Sequence, residues 1–241
     1  MKQYCIIMYS HSSYKDAWEM FCGQIEEYFP KQIKRYAFVD NGDSLPENWK
    51  VIKYDDSLSY NRRVAFCLES IEEEYLIFNH EDMPLYDEPD IDFLEDKVSL
   101  MAEDDIDYIK LIKGGNLNIP EVKYSDNLYE LPKNGDCYFS VQPSICRTSS
   151  LIELYKRCDI QKIHEFEPKA HIESISLNHK NLYYYGGEKK RGHFHWDSKV
   201  YPYVSTAIVR GQWNYVEYGS ELETLHKKYN IDKNIRGEFK W

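Results

Sequence analysis

The 241-residue chain has no run approaching the roughly 18–20 consecutive apolar residues that a membrane span requires. Its first nine residues lack the basic segment and small-residue cleavage site of a secretory leader. A cytoplasmic protein with no transmembrane segment is therefore the expectation. Cysteine is sparse: Cys5, Cys22, Cys67, Cys137, Cys146 and Cys158 form no CxxC pair, which argues for free thiols over a zinc site or a disulfide framework. Basic residues fall short of acidic ones, 30 Lys and Arg against 41 Asp and Glu, for a net charge of −11. Nonspecific nucleic-acid binding depends on neutralising phosphates with Lys and Arg, so no nucleic-acid partner is expected. There is no glycine-rich phosphate loop, no GxSxG elbow and no HExxH. P-loop nucleotide hydrolysis, serine esterase and zincin chemistry thus lack support.

Aromatic residues are plentiful by contrast, with 22 Tyr, 10 Phe and 5 Trp in a chain that is 42% hydrophobic, enough for a packed core. Short apolar runs at residues 5–9, 36–39, 51–54 and 75–78 read as strands, each closing in polar residues. Between them lie helical patterns. Tyr14, Ala17, Trp18, Phe21, Ile25 and Tyr28 recur every three or four residues before Pro30, and Val64, Cys67, Leu68 and Ile71 share a face after Ser59 or Asn61. Strands alternating with helices at this spacing predict βαβ units and a mostly parallel sheet flanked by helices. Further on the pattern predicts a helix through Ile91, Leu94, Val98 and Met101, strands at 108–112 and 137–142, a loop over 114–136, and helices at 149–158 and 167–177. The more irregular C-terminal part holds strand candidates at 182–185 and 204–209 and a helix at 220–229. With no repeat or linker, a single domain over 1–241 is expected.

Ligands of open α/β sheets bind outside the carboxyl ends of the strands. Those ends carry Ser10, Asp40-Asn41, Asp55-Asp56 and His80-Glu81-Asp82, which converge on one crevice. Glu81 and Asp82 follow a strongly apolar strand, where a hard divalent cation, Mg²⁺ or Mn²⁺, could bridge them to a diphosphate and act as a Lewis acid. The plainer alternative is an acidic surface loop running on through Asp87, Glu88 and Asp90. Asn61 and Arg62 open a helix and stand where a base, ribose or phosphate would lie, whereas Arg63 is expected to face solvent. His193 and His195 have the His-x-His spacing of two strand ligands on one side, and Lys189, Lys190 and Arg191 could pair with a diphosphate; an exposed loop accounts for all five equally.

Three motifs together resemble a group of small GT-A-type sugar transferases of microbial and viral genomes. They are Tyr75-Leu76-Ile77-Phe78-Asn79-His80-Glu81-Asp82-Met83, the stretch from Tyr138 through Gln142-Pro143-Ser144 to Arg147, and His164-Glu165-Phe166-Glu167. The segment from Tyr201-Pro202-Tyr203 to Arg210-Gly211-Gln212-Trp213-Asn214 is similar too. Two positions depart from the group's pattern: the usual Asp-x-Asp reads His80-Glu81-Asp82, and Cys146 stands where a Trp is usual.

The resemblance implies a GT-A-like, Rossmann-type sandwich that moves a sugar from a nucleoside-diphosphate sugar to a hydroxyl of a glycan or lipid-linked acceptor, as a hexosyltransferase of glycan biosynthesis. Residues 1–113 would bind the donor and 114–241 the acceptor. Ser10, Asp40, Asn61, Arg62, His80, Glu81 and Asp82 would form the donor site, with Glu81, Asp82, His193 and His195 as metal ligands. Glu165 or Glu167 would be the base that takes the proton of the attacking hydroxyl. Two other readings stay open: a degenerate GT-A domain that binds a sugar nucleotide or glycan without turnover, and a nucleotidyltransferase.

Overall fold

The computed structural model of the chain describes residues 3–115, 121–135, 137–160, 163–192 and 195–240. Strand β1 (Tyr4–Tyr9) is buried along its whole length because helices cover both sides of the sheet. Strand alternation turns Cys5, Ile7 and Tyr9 to one face and Tyr4, Ile6 and Met8 to the other, and each set enters a separate core cluster. Helix α1 (Lys15–Tyr28) lays Trp18, Phe21 and Ile25 on the second face. Then follow β2 (Arg35–Val39), β3 (Lys50–Lys53), α2 (Tyr60–Leu68), β4 (Tyr75–His80), α3 (Ile91–Glu103) and β5 (Tyr108–Lys110). β1 pairs in parallel with β2 and with β4, in the register Ile6 to Ile77, and β2 pairs in parallel with β3.

Among the described residues the second half completes one sheet of nine strands. It adds β6 (Lys123–Ser125), β7 (Leu128–Glu130), β8 (Ser144–Arg147), α4 (Thr148–Arg157), α5 (Phe166–Ser176) and β9 (Asn181–Tyr184), and the order is β3-β2-β1-β4-β8-β5-β9-β7-β6. β8 runs antiparallel between β4 and β5, while β5 and β9 are parallel. Helices α2, α4 and α5 cover the face of Cys5 and Ile7; α1 and α3 cover the other. A two-stranded ribbon of β10 (Ile208–Val209) and β11 (Gln212–Trp213) and helix α6 (Tyr215–Lys228) close the chain. Trp213, Tyr218 and Leu222 pack there on Ala17 and Met20 at the outer side of α1.

The parallel α/β sandwich matches the expectation, and the differences are local. The strand expected at 137–142 lies at Ser144–Arg147 instead. Pro143 has no N–H to give a ladder, so pairing begins after it, and Tyr138 and Phe139 are buried by packing rather than by pairing. The stretch read as loop over 114–136 holds the β6–β7 hairpin, turned at Asn127, whose φ of 59° suits the left-handed region. The strand expected at 204–209 shrinks to two residues turned by Arg210 and Gly211, both at positive φ (50° and 79°), as a tight hairpin requires. α6 starts five residues earlier than expected and bends at Tyr218. All six cysteines are thiols. Among the described residues no helix is long and apolar enough to cross a membrane.

Candidate active site

The carboxyl ends of β1 and β4 open into a cleft of about 390 Å³. Its floor is aromatic. The Tyr9 ring stacks on Tyr54 at 5.5 Å, meets Tyr60 edge-on at 5.1 Å and lies 5.3 Å from the His80 ring. The Tyr60 hydroxyl is hydrogen-bonded to His80 Nε2 and to the Tyr155 hydroxyl, each at 3.1 Å. Burial lowers His80 to about 4, so it enters neutral solution as an uncharged imidazole fixed by Tyr60. It is a hydrogen-bonding group here, not a cation for phosphate.

Glu81 and Asp82 follow directly at the end of β4 and line the cleft. Glu81 is 7% exposed, and burial, then the charge of Asp82, push its carboxyl well above the usual range; the Ser10 hydroxyl and Arg236 offset this only in part. Burial likewise pushes Asp82 up to about 7, against the Ile208 backbone N–H and Arg236. The Asp82 carbonyl accepts the Ala207 N–H at 2.8 Å, which ties the C-terminal ribbon to the site. Arg236 is itself held by Asp16 in a two-pronged pair, Nε to Oδ2 being 2.6 Å. Two adjacent carboxylates thus share the cleft, their charge offset only in part by Arg236. Among the described residues no three His, Cys, Asp or Glu side chains are grouped so as to hold a metal. Two carboxylates suit Mg²⁺ or Mn²⁺ nonetheless, because Mg²⁺ at such sites takes one or two of them and completes its shell with substrate phosphates and water.

Other expected residues turn out to build the walls. Ser10, 1% exposed, accepts the Trp18 Nε1 hydrogen at 2.6 Å through Oγ, and its carbonyl accepts the Tyr54 hydroxyl at 2.7 Å. Asp40 accepts the Ser12 N–H at 2.6 Å and the Ser12 hydroxyl, and lies 3.6 Å from His11. Burial would raise its carboxyl, but the bonds from Ser12 and the neighbouring His11 outweigh that and lower it. Asp40 therefore shapes the loop after β1. Asn61 is buried, accepting from Ser59 Oγ at 2.8 Å and donating to the Tyr155 carbonyl at 3.2 Å, which ties α2 to α4.

The two arginines exchange the places assigned to them. Arg62 is exposed and lines a separate hollow between α2 and α4 with Lys156, whereas Arg63 lines the cleft. Arg63 donates from Nε to the Leu58 carbonyl at 2.7 Å, pairs with Asp56 at 2.8 Å and lies over the Tyr54 ring at 5.2 Å. The signal was present: Tyr60, Arg63 and Cys67 stand three and four residues apart, on one stripe of the helix. His11, also in the cleft lining, gave no such signal, since it lies on no helical stripe and in no motif.

Among the described residues the late basic and histidine segment contributes nothing to the cleft lining. Among the described residues it forms isolated bridges, Gly114 to His195 and Lys190 to Trp196, in place of a strand that would aim two rings one way. His195 stacks on Tyr218 at 5.8 Å and lies 3.5 Å from Glu217, and burial lowers it to about 4. Arg191 is engaged by Asp197 at 2.9 Å and Glu221 at 2.8 Å, and Lys190 lies over Trp196. His193 lies outside the described residues.

The turn Ile163–Glu165 leads into α5. Of this stretch Ile163 lines the cleft, while Glu165 and Glu167 are exposed outside its lining. Glu167 accepts the Val141 N–H at 2.6 Å through Oε1. Burial pushes the Tyr60 hydroxyl well up, with smaller contributions from Glu167 and from Glu81. Tyr60 thus feels Glu81 in the cleft and Glu167 on α5.

The sequence matches no protein-family profile and no curated protein. Among solved structures the chain is similar to S. aureus TarS residues 1–349, at 18% identity and a TM-score of 0.51, over 95% of this chain and 66% of that one. It is also similar to the same fragment in complex with UDP (16% identity, TM-score 0.53, 80% of this chain and 59% of that one). The complex with UDP-GlcNAc matches at 15% identity and a TM-score of 0.53, over 95% of this chain and 67% of that one. The chain spans about two thirds or less of those fragments' length. The fold is that of GT-A-like glycosyltransferases.

Proposed function

We propose that the chain is a sugar-nucleotide-dependent glycosyltransferase whose donor lies in the cleft at the carboxyl ends of β1 and β4. The observation that carries this reading is the Glu81–Asp82 pair: two neighbouring acids, both pushed upward by burial, at the strand end where a GT-A-like fold receives its ligand. Holding like charges together in a dry cleft is unfavourable unless a cation and a phosphate complete the arrangement. Glu81 and Asp82 would hold a divalent cation, and that ion when bound would neutralise charge on the departing diphosphate. His195 drops out of this ligand set.

The remaining work falls to the chain's own residues. Arg63 and His11 stand at the nucleotide side of the cleft, and the Tyr9–Tyr54–Tyr60 floor excludes water beneath it. His80, neutral and bonded to Tyr60, offers a fixed polar contact to the donor. From α5 or the turn before it, Glu167 or Glu165 receives the proton of the acceptor hydroxyl, and the Val141 N–H orients Glu167 for it. Such a site acts chiefly by positioning and electrostatics. The test is release of nucleoside diphosphate from a panel of donors, with glycan and lipid-linked sugar acceptors and Mn²⁺ present. Acceptor-dependent release supports a transferase. Tight donor binding without release across that panel supports a binding domain instead.

A further inference from the structure

Arg236 follows the last short turn of the chain, Lys233–Ile235, and its side chain is only 11% exposed. A guanidinium so far buried needs partners around its planar fork, and here all three nitrogens have them. Nε donates to Asp16 Oδ2 at 2.6 Å and Nη2 to Asp16 Oδ1 at 2.5 Å, the parallel pair that guanidinium and carboxylate geometry favours. Nη2 also donates to the Ser13 carbonyl at 3.2 Å, and Nη1 to the Gly211 carbonyl at 3.4 Å. The guanidinium lies 4.7 Å from the Tyr14 ring centre and 5.6 Å from that of Trp213.

These partners come from two places far apart in sequence. Ser13, Tyr14 and Asp16 belong to the turn after β1 and the first residues of α1, whereas Gly211 and Trp213 belong to the β10–β11 ribbon. Both places line the donor cleft, the first through His11 and Tyr14 and the second through Ile208, while Arg236 itself is not in the lining. The tail that carries Arg236 is laid along the ribbon, with the Trp213 N–H on the Gly237 carbonyl at 3.0 Å and the Phe239 N–H on the Trp213 carbonyl at 2.9 Å. Helix α6 has its own anchorage: Leu222 and Leu225 pack with Ala17 and Met20 of α1, and Lys228 and Tyr229 donate to Gln24 at 2.6 and 2.8 Å. Loss of Arg236 therefore frees the ribbon and leaves the domain assembled.

We propose that Arg236 is a positioning residue for the donor cleft, a latch that clamps the ribbon onto the start of α1 and so fixes Ile208 and Tyr14 relative to each other in the lining. The proposal rests on the transferase reading for its ligand and deepens it, since the hold on the donor then depends on a residue outside the cleft. Two features separate a latch from a cation that merely stands near the acids. The latch needs the planar fork, which lysine lacks, and it needs Asp16 as its other half. The partial offset of charge that Arg236 gives Glu81 and Asp82 needs neither.

The experiment compares Arg236→Ala, Arg236→Lys, Asp16→Ala and the double variant of Arg236→Ala with Asp16→Ala in the full chain. Hydrogen exchange followed by NMR reads the ribbon without any ligand. The Ala207 and Trp213 amides should exchange about tenfold faster in each single variant, while those of Leu222 and Leu225 in α6 keep the parent rate. Each single change opens the same joint, so the double variant should exchange little faster than either, where independent contributions would multiply to about a hundredfold. With a panel of nucleoside-diphosphate sugars and Mn²⁺, the donor KM should rise about tenfold in Arg236→Ala and about as much in Arg236→Lys, with kcat within about twofold of the parent.

Parent-like exchange at Ala207 and Trp213 in Arg236→Ala, or full rescue of exchange and KM by lysine, overturns the proposal. Faster exchange with an unchanged donor KM overturns it as well, since the ribbon would then loosen without consequence for the donor. If Arg236→Ala does not fold, the milder Arg236→Lys decides alone, and parent-like exchange there overturns the proposal. Failure of every donor to turn over removes the transferase reading, while the exchange rates still decide whether Arg236 holds the ribbon to the start of α1.

Discussion

Asp82→Asn shows how far the cleft is held at the expense of the fold. Burial lifts the Asp82 carboxyl from 3.8 to about 7, so the folded protein favours the protonated form. Below about pH 4 the group is protonated in both folded and unfolded chains and contributes no penalty. As the pH climbs towards 7 the unfolded chain ionises first, and the penalty on the fold grows, reaching full size above about 7. About three pH units at about 1.4 kcal/mol each give an upper bound of about 4 kcal/mol. Because Glu81 shares the unfavourable charge, a gain of about 2 kcal/mol is expected on neutralising Asp82 alone. Asn keeps an oxygen for the Ile208 N–H and carries no charge. At this chain length about 2 kcal/mol raises the melting temperature by about 4–8 °C. Scanning fluorimetry in EDTA reads it directly: Asp82→Asn should melt higher than the parent near pH 8, and the gap should shrink to about a quarter near pH 4.5. A variant that melts no higher near pH 8, or a gap of equal size at both pH values, refutes the reasoning.

The exchange of the two arginines predicts that Arg63→Ala weakens donor binding by about 1–3 kcal/mol in calorimetry, while Arg62→Ala changes it by less than about 0.5 kcal/mol. For turnover, Glu167→Gln should cost about 10²–10⁴-fold in kcat with the melting temperature preserved, and Glu165→Gln far less. The reverse order would make Glu165 the base.

The parallel half of the fold was legible because each of its strands is an apolar run closed by polar residues, and each helix keeps a three-to-four residue stripe. The Ser144–Arg147 strand was misplaced by a few residues, since Tyr138 and Phe139 are as buried as strand residues without pairing. The β6–β7 hairpin was missed because three-residue strands carry no periodicity to read. In the site, Glu81 and Asp82 stood out by following a strongly apolar strand. Ser10, Asp40 and Asn61 lie at or near strand ends or helix starts too, but their hydrogen bonds are spent within the protein, and sequence position does not reveal that.

The central claim is that the Glu81–Asp82 cleft takes a nucleoside-diphosphate sugar together with a divalent cation. Its most direct test is the thermal shift of the parent chain and of Asp82→Asn against a panel of nucleoside-diphosphate sugars, with and without Mn²⁺. At about 100 times its dissociation constant a true donor adds about 2.7 kcal/mol, a rise of several degrees. The account predicts that rise for at least one donor in the parent chain, larger with Mn²⁺, and a much smaller one in Asp82→Asn. No stabilisation by any nucleoside-diphosphate sugar under either metal condition, or an equal rise in both proteins, would contradict it.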